Sequence, residues 1–305
     1  MLKKFLVALI CAFAFNFFSP VQSYAEDFDV ATDRIEKFYS TLPVAKNYKV
    51  RQRPILIQGA MNVETEIFVR ALKNPVAYRD MNYFFVAGTY KNYPVVIART
   101  EQGMTNTAVS TTLAIKKFDP VAVINQGTAG SHVAILHVNY IVVGAKSIPV
   151  SAYKSAYSPE GAGIDFTAQE MRGTYAYDEA TKTFTRHGEY FTDPKLFNIA
   201  FAVANTHGNF NAVSGTIATS DRWINWVDGV KFLHEKYGTS CEEMETVAAA
   251  QICHNAGIPF LGVRVISNNV ITGENFSYEA ADTCQKFVLL VVENYINKIL
   301  RGSKS

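Results

Sequence analysis

The sequence predicts an α/β fold, and the clearest observations lie near its C-terminal end. Residues 243–256 carry apolar side chains at helical spacing, and Gly257 and Pro259 then end the helix. Residues 260–266 are apolar on both alternating faces except for Arg264, which is typical of a strand buried on both sides of a parallel sheet. A helix followed at once by such a strand indicates the α/β class.

The alternation of strand and helix patterns extends back to residue 52. Strands are predicted at 53–59, 83–90, 95–100, 121–125, 140–145 and 212–218. Helices are predicted at 62–73, 106–118, 194–206 and 278–300, and a further helix is predicted to end at about 237. The strands at 83–90 and 95–100 are close enough to form a hairpin. No linker rich in Gly, Ser or Pro interrupts residues 52–305, so we expect a single domain there.

Two segments lack a regular pattern. Residues 126–131 are rich in glycine and are expected to turn the chain after the preceding strand. Residues 147–192 combine prolines, glycines and many tyrosines with weak periodicity. A stretch of that length without strong element signals is usually functional, so we expect a loop region beside a binding site.

The N-terminus predicts export. Residues 1–25 have the pattern of a secretory signal peptide, with Lys3 and Lys4 before the apolar run 5–18 and a small-x-small cleavage site at 23–25. We therefore expect a periplasmic or secreted protein without stable membrane insertion after cleavage, and an uncleaved anchor is the alternative. Residues 26–51 are predicted to form an amphipathic helical lead-in.

Charge and cysteine content exclude some classes of partner. Removing the two lysines of the signal peptide from the 29 basic residues leaves 27, equal to the 27 acidic ones, so nucleic acid is not expected as a partner. Cys241, Cys253 and Cys284 would remain, and a Cys253–Cys284 disulfide stays open. Neither the cysteines nor the six histidines have the spacing of a metal site.

Chemistry-bearing residues follow three predicted strands, at the sheet edge where α/β proteins bind ligands. Glu64 follows Gly59, which permits close approach of a ligand to the backbone. Residues 125–130, Asn-Gln-Gly-Thr-Ala-Gly, can present backbone N–H groups. Residues 243–245, Glu-Met-Glu, and 267–268, Ser-Asn, flank the last strand. None of these segments has the phosphate-loop or the dinucleotide-binding pattern.

Together these segments resemble the nucleoside phosphorylase and nucleosidase superfamily, with the closest likeness to bacterial 5′-methylthioadenosine/S-adenosylhomocysteine nucleosidases. The resemblance covers about residues 55–300. It rests on Gly-Ala-Met-x-x-Glu at 59–64, Gly-Thr-Ala-Gly at 127–130, Glu-Met-Glu at 243–245 and Arg-Val-Ile-Ser at 264–267. It implies a three-layer α/β sandwich around a mixed, twisted sheet, a homodimer, a small-molecule nucleoside as ligand, and no metal or organic cofactor.

The resemblance also implies cleavage of an N-ribosidic bond, with a role for each site residue. Glu64 is expected to be the general base that activates water, and Glu245 to bind ribose hydroxyls with Met244 packed on the sugar. Trp223 and Ile224 would hold the base. The other implied substrate-binding residues are Thr128, Ala129, Gly130, Glu243 and Ser267. Positive charge builds on the sugar in such a reaction, and nearby carboxylates stabilise it.

Asn268 departs from the family pattern, in which an aspartic acid protonates the leaving purine. An amide donates a hydrogen bond but cannot give up a proton. Losing that proton transfer would cost about 3–5 kcal/mol of barrier. Three explanations stay open: Asn268 suits a 6-oxopurine, as asparagine does in trimeric purine nucleoside phosphorylases; Asn269 or Glu274 replaces the acid; or the chain is a nucleoside-binding or storage protein.

Hydrolysis is favoured over phosphorolysis. The hexameric phosphorylases of the family carry Gly-Asp-Pro-x-x-Arg at the first strand end, where this chain has Gly-Ala-Met-Asn-Val-Glu at 59–64. The motif arginine is missing here, and Arg99 and Arg264 are the only arginines placed where they could bind phosphate. For Arg264, a buried structural ion pair is the simpler interpretation. We predict a purine nucleosidase for substrates such as 5′-methylthioadenosine or S-adenosylhomocysteine. The alternatives are a purine nucleoside phosphorylase for 6-oxopurine nucleosides and a non-catalytic binder.

Overall fold

The computed structural model of the protein describes residues 21–179 and 181–302. The chain divides into two units, Met1–Thr41 and Leu42–Ser305, and in the first the structure describes one helix, α1 (Val21–Ser40). Residues 1–20 of the predicted signal peptide lie outside the described residues, so the signal peptide stays a prediction. The lead-in predicted over 26–51 is helical only as far as Ser40. Among the helices that are described, none is long and apolar enough to cross a membrane.

The second unit alternates strands and helices along the described chain. Its strands are β1 (Ile55–Gly59), β2 (Lys73–Asp80), β3 (Tyr83–Tyr90), β4 (Tyr93–Arg99), β5 (Ala122–Ser131), β6 (Ile141–Pro149), β7 (Tyr153–Ser155), β8 (Gln169–Met171), β9 (Thr174–Asp178), β10 (Thr183–His187), β11 (Tyr190–Phe191), β12 (Ala212–Thr219), β13 (Thr239–Glu243) and β14 (Phe260–Asn268). Its α-helices are α2 (Glu66–Ala71), α3 (Met104–Phe118), α4 (Pro194–Thr206), α5 (Val227–Tyr237), α6 (Thr246–Ala256) and α7 (Ala280–Tyr295). A 3₁₀ turn, Asn62–Glu64, precedes α2, and a π-helical turn, Ile296–Arg301, follows α7.

Ten of these strands form one mixed sheet, in the order β11-β6-β12-β13-β5-β1-β4-β3-β2, with β14 paired to both β5 and β6. Strands β1, β4, β5 and β14 run parallel, whereas β13 is antiparallel to β5, and β14 is antiparallel to β6. The pairings β5-β13-β12-β6-β14-β5 close into a ring. The predicted α/β class with a mixed sheet is confirmed.

Helices cover the sheet from two sides. Val247 and Ala250 of α6 and Ala114 of α3 pack with Leu56 and Val123 of the sheet in one apolar cluster. Helix α7 packs on β5 and β14, with α2 and α4 beside it. Burial of apolar surface on both faces explains why the central strands lack the alternation of polar and apolar residues.

The hairpin prediction is confirmed, and a neighbouring strand was missed. Strands β3 and β4 pair antiparallel through a two-residue turn, in which Lys91 and Asn92 both have positive φ, as such hairpins require. The helix predicted over 62–73 was wrong beyond Ala71, because the chain continues from Lys73 as the strand β2. Strand β2 contains a proline and lies at the edge of the sheet, where a missing backbone donor is tolerated.

Two further predictions were wrong because polar or small residues lie inside the sheet. Residues 126–131 do not turn the chain but continue the strand β5 to Ser131. Glu243, predicted to start a helix, ends the strand β13 instead, and the helix begins at Thr246. The predicted loop region 147–192 contains two small exposed two-stranded sheets, β7-β8 and β9-β10, and the strand β11, which joins β6.

Candidate active site

Glu64 lies directly after the first strand of the sheet, on a rigidly held turn. It ends the 3₁₀ turn that follows β1, and its backbone N–H donates to the Met61 carbonyl (3.1 Å). Gln285 of α7 clamps this turn, because its Nε2 donates to the Val63 carbonyl (2.8 Å) and its Oε1 accepts from the Ile67 N–H (2.9 Å). The long-range amide clamp fixes where the Glu64 side chain points.

The Glu64 carboxylate is buried and accepts four hydrogen bonds. Its Oε2 accepts from the N–H groups of Ala60 (2.8 Å) and Met61 (3.1 Å). Its Oε1 accepts from the N–H (2.8 Å) and the hydroxyl (3.0 Å) of Thr128 on β5. The three backbone donors fix the carboxylate, whereas the Thr128 hydroxyl can rotate and make room for a water. The structure thus brings the predicted base Glu64 and the predicted site residue Thr128 together.

Gly127 is required by this arrangement. A Cβ at residue 127 would lie 2.7 Å from Glu64 Oε1, which is closer than any ordinary contact. The glycine-rich run therefore continues the strand β5 and leaves space beside it for a buried carboxylate.

Glu243 and Arg264 form a buried ion pair behind this edge. The Arg264 side chain is only 1% exposed. Its Nε donates to Glu243 Oε2 (3.0 Å), and its Nη2 donates to the same Glu243 oxygen and to Asn125 Oδ1 (2.6 Å). Glu243 also accepts from the N–H groups of Glu245 (2.9 Å) and Thr246 (2.8 Å), the first donors of α6. Burial alone would lower the pKa of Arg264, but the carboxylates of Glu243 and Glu245 raise this pKa above its ordinary value. The Glu243 carboxylate therefore supports the helix and holds Arg264.

Glu245 is the second buried carboxylate of the edge. Its Oε1 accepts from the N–H of Gly103 (2.9 Å), in the loop that follows β4, and its Oε2 lies 3.8 Å from Arg264. Burial, with repulsion from Glu243 and a smaller contribution from Glu64, raises the pKa of Glu245 to about 8. The loop that Glu245 holds adjoins the strand end that leads to Glu64, because the Thr100 N–H donates to the Gly59 carbonyl (2.9 Å). A carboxyl that titrates near neutral pH can respond when positive charge develops beside it.

The raised pKa of Glu245 predicts a pH-dependent stability. Between its ordinary value of 4.5 and about 8, the folded protein holds a proton that the unfolded chain has released. Raising the pH through this interval should therefore lower the free energy of unfolding, by more than about 1 kcal/mol. Urea unfolding from pH 5 to pH 8 should show this slope in the wild type and a smaller slope in Glu245→Gln. The exposed change Glu235→Gln is the control, and an equal slope in wild type and Glu245→Gln would contradict the assignment.

Asn268 and Gly130 adjoin at the end of the paired strands β14 and β5. They are partners in the register, and a Cβ at Gly130 would lie 3.4 Å from Asn268 Nδ2. The Ser267 hydroxyl has two acceptors within reach of its one proton, the Ala129 carbonyl (3.2 Å) and Asn268 Oδ1 (3.1 Å). Gly130 follows Thr128 by two residues on β5, which corresponds to about 7 Å along the strand, and Thr128 is the residue that bonds Glu64. Glu64, Glu245 and Asn268 thus belong to one edge of the sheet.

The predicted base-binding residues lie in the segment after β12. Ile224 is buried, and its N–H donates to Glu242 Oε1 (2.9 Å). Trp223 is 65% exposed, and its ring lies 5.4 Å from that of Phe276, so it stands at the surface of the site. Glu242 was missed at the level of sequence, because a carboxylate beside the Glu-Met-Glu motif gives no sign that it is buried.

The structure also gives the surroundings of four further residues named in the sequence analysis. Ala129 packs in an apolar cluster with Val142 and Ile266, so its side chain faces the core. Asn269 is buried and its amide donates to carbonyls of the 133–136 loop, which makes it a loop anchor. Glu274 contacts His137 (3.2 Å) and Thr272 (2.9 Å). Met244 is partly buried beside Glu245.

Cys241, Cys253 and Cys284 are free and buried, so the disulfide left open between Cys253 and Cys284 is not formed. Burial raises the pKa of both thiols to about 12, which makes them unreactive at neutral pH. Within residues 21–179 and 181–302, no group of three or more His, Cys, Asp or Glu side chains is arranged to hold a metal ion.

The chain is similar to known proteins over most of its length. Residues 54–297 match the family model described as the phosphorylase superfamily. A 5′-methylthioadenosine/S-adenosylhomocysteine nucleosidase of Bacillus pumilus is 30% identical over 230 residues, which cover 74% of this chain and 90% of the relative. The nucleosidase of the same name from Anoxybacillus flavithermus is 28% identical over 250 residues, covering 80% and 99%.

Solved structures show the same fold. The 5′-methylthioadenosine/S-adenosylhomocysteine nucleosidase of Neisseria meningitidis, solved with methylthio-immucillin-A, matches with a TM-score of 0.64 at 24% identity, over 79% of this chain and 99% of that one. The futalosine hydrolase of Helicobacter pylori matches with a TM-score of 0.62 at 23% identity, over 79% and 97%. The family model, the curated nucleosidases and the shared fold together show that this chain belongs to the phosphorylase superfamily.

Proposed function

We propose that this protein is a purine nucleosidase. It hydrolyses the N-ribosidic bond of a purine nucleoside, such as the 5′-methylthioadenosine or S-adenosylhomocysteine for which its relatives are named. One observation carries the proposal: the Glu64 carboxylate is held by three backbone donors at the sheet edge that also carries a second buried carboxylate, Glu245. Cleavage of a glycosidic bond uses such a pair, one group to activate water and one to stabilise the sugar cation.

The reaction places each group in a defined role. A water that replaces the Thr128 hydroxyl at Glu64 gives its proton to that carboxylate, and its oxygen bonds C1′ of the sugar. The C1′–N9 bond breaks, and its electron pair leaves with the base, which takes up a proton from solvent. Positive charge that develops on the sugar favours the ionised form of Glu245, and in that form Glu245 stabilises the charge. Asn268 donates a hydrogen bond to the departing base.

Hydrolysis fits the charges of the site better than phosphorolysis. A phosphate ion needs cationic donors that are free to bind it. Arg264 is committed to Glu243, and Arg99 Nε donates to Glu101 (2.7 Å) while its Nη1 donates to Asn62 (2.8 Å). Arg99 and Arg264, the two arginines considered as phosphate ligands, thus have carboxylate partners already.

The proposal is tested by incubating the protein with methylthioadenosine, adenosine and inosine, each with and without phosphate. The products to measure are free base, free sugar and sugar 1-phosphate. Release of base and free sugar without phosphate supports the nucleosidase. Strict phosphate dependence with sugar 1-phosphate would instead support a phosphorylase, and binding without release from any nucleoside would support a binding protein.

Gly127→Ala should lower kcat about 100-fold. The new methyl group would collide with Glu64 Oε1 and displace the base, and a misplacement of about 1 Å is enough for a loss of that size. The matched control is Gly208→Ala, because a Cβ there meets no atom within 4 Å and should leave the rate unchanged. Equal rates in both variants would show that the position of Glu64 does not limit the reaction.

Export and self-association belong to the same proposal. The apolar run 5–18 after two lysines supports secretion, and the resemblance to dimeric nucleosidases supports a homodimer. Fractionation of expressing cells with N-terminal sequencing should find the mature chain outside the cytoplasm and starting near residue 26. Light scattering should give the mass of two chains.

A further inference from the structure

A third buried carboxylate, Glu242, lies beside the predicted leaving-group residue. Glu242 of β13 and Asn268 of β14 are both register partners of Gly130, from opposite sides of β5. A Cβ at Gly130 would lie 3.7 Å from Glu242 Cγ and 3.4 Å from Asn268 Nδ2. The two side chains therefore share the space above one glycine.

Glu242 is held in place from two directions. Its Oε1 accepts from the Ile224 N–H (2.9 Å), and its Oε2 lies 3.6 Å from His132 Nε2. His132 is buried, and its Nδ1 bonds the Thr239 hydroxyl (2.7 Å). Neither Glu242 Oε2 nor His132 Nε2 has a hydrogen-bond partner among the described residues, although Glu242 is only 6% exposed. A buried carboxylate is costly, so its retention at this place needs a reason.

The contact between Glu242 and Ile224 replaces a hydrogen-bond donor of the site with an acceptor. Ile224 is expected to hold the purine, but its N–H is already bonded to Glu242. Glu242 Oε1 keeps a second lone pair, and an ionised carboxylate can only accept hydrogen bonds. A base that approaches Ile224 and Asn268 therefore meets an acceptor where a backbone donor would otherwise be.

We propose that Glu242 selects the base, and that the site prefers 6-oxopurines, such as hypoxanthine and guanine, to adenine. These bases carry an N1–H that donates to Glu242, whereas adenine has an unprotonated N1 that would face the carboxylate. The inference rests on the proposed function for the bond that is cut, and it adds an order of preference among purine bases, with hypoxanthine above the adenine of methylthioadenosine.

The same selection accounts for Asn268. When the C1′–N9 bond of a 6-oxopurine nucleoside breaks, negative charge spreads over the ring nitrogens and O6. The Asn268 amide can donate to N7 or O6, so a hydrogen bond stabilises the leaving group without a proton transfer. The Glu242 carboxylate then accepts from N1–H of the base, and the Asn268 amide donates to N7 or O6 of the same base.

The test compares kcat/KM for inosine and adenosine, which differ only at N1 and C6. We expect inosine to be preferred by at least tenfold, since a hydrogen bond to a charged group contributes about 10–100-fold. Methylation of inosine at N1 should abolish the preference. Glu242→Gln should shift the ratio toward adenosine by at least tenfold, because the new amide can donate to N1, and Asn268→Asp should shift it the same way. The exposed change Glu235→Gln is the control and should leave the ratio unchanged.

Two outcomes would overturn the selection: adenosine preferred by the wild type, or an inosine to adenosine ratio that Glu242→Gln leaves unchanged. If no nucleoside is cleaved, the proposed function fails, and calorimetric binding of hypoxanthine and adenine decides the selection by itself. Tighter binding of hypoxanthine that Glu242→Gln removes would support the role of Glu242. Equal binding of both bases would overturn it.

Discussion

Replacing Glu64 by glutamine should lower kcat for base release by about 10²–10⁴-fold, with little change in KM. Glutamine has nearly the same shape and can still accept from the backbone N–H groups of the turn, so the fold should persist. It cannot take a proton from water, and a general base contributes about that factor. Steady-state release of base, measured chromatographically, checks the result.

The control for this change lies two residues along the chain. Glu66 is paired with Arg70 on the surface of α2, and losing that pair costs only a few tenths of a kcal/mol. Glu66→Gln should therefore retain the wild-type rate within about twofold. A Glu64→Gln enzyme with the full rate would remove Glu64 from the mechanism, and catalysis would then have to be assigned to another group.

Arg264→Met should lower the free energy of unfolding by about 3–5 kcal/mol. Methionine has a similar length and packs among apolar neighbours, but it leaves the buried Glu243 carboxylate without its cation. An unpaired buried charge is costly to that extent. The loss is a large part of the stability of an ordinary domain, and urea denaturation at pH 7 measures it.

A double variant separates the charge from the packing. Glu243→Gln combined with Arg264→Met removes both charges, so it should be more stable than Arg264→Met alone. Arg186→Met, on the exposed strand β10, should change stability by no more than about 0.5 kcal/mol. If Arg264→Met were as mild as Arg186→Met, the ion pair would not be a support of the site.

The sequence predicts the fold correctly where the buried side chains are apolar and recur in the pattern of a strand or a helix. The strand at 260–266 and the hairpin of β3 and β4 are confirmed because both follow from local pattern and turn geometry. The strand β13, Thr-Ser-Cys-Glu-Glu, was missed because its buried carboxylates depend on Arg264 and Ile224, which are distant in sequence. Long-range pairing of this kind has no signature in a single sequence.

The sequence predicts which residues belong to the site better than it predicts the contacts that these residues make. The motifs led to Glu64, Glu245 and Asn268, and the structure brings the segments that carry them to one sheet edge. The supporting contacts were not predictable: Thr128 as a donor to Glu64, Glu243 as the partner of Arg264, and Glu242 beside Gly130. Each depends on which face of a strand a side chain occupies, and bulges in the pairing change that face.

The most direct measurement follows the oxygen that attacks the sugar. Inosine is cleaved in ¹⁸O-labelled water with phosphate present, and the sugar is trapped by borohydride reduction before its carbonyl oxygen exchanges with solvent. Ribose held in the same water for the same time corrects for that exchange. Water activated by Glu64 predicts one ¹⁸O atom in each sugar and no sugar phosphate. Ribose 1-phosphate without label, or no release of base from inosine, adenosine or methylthioadenosine, would contradict the account.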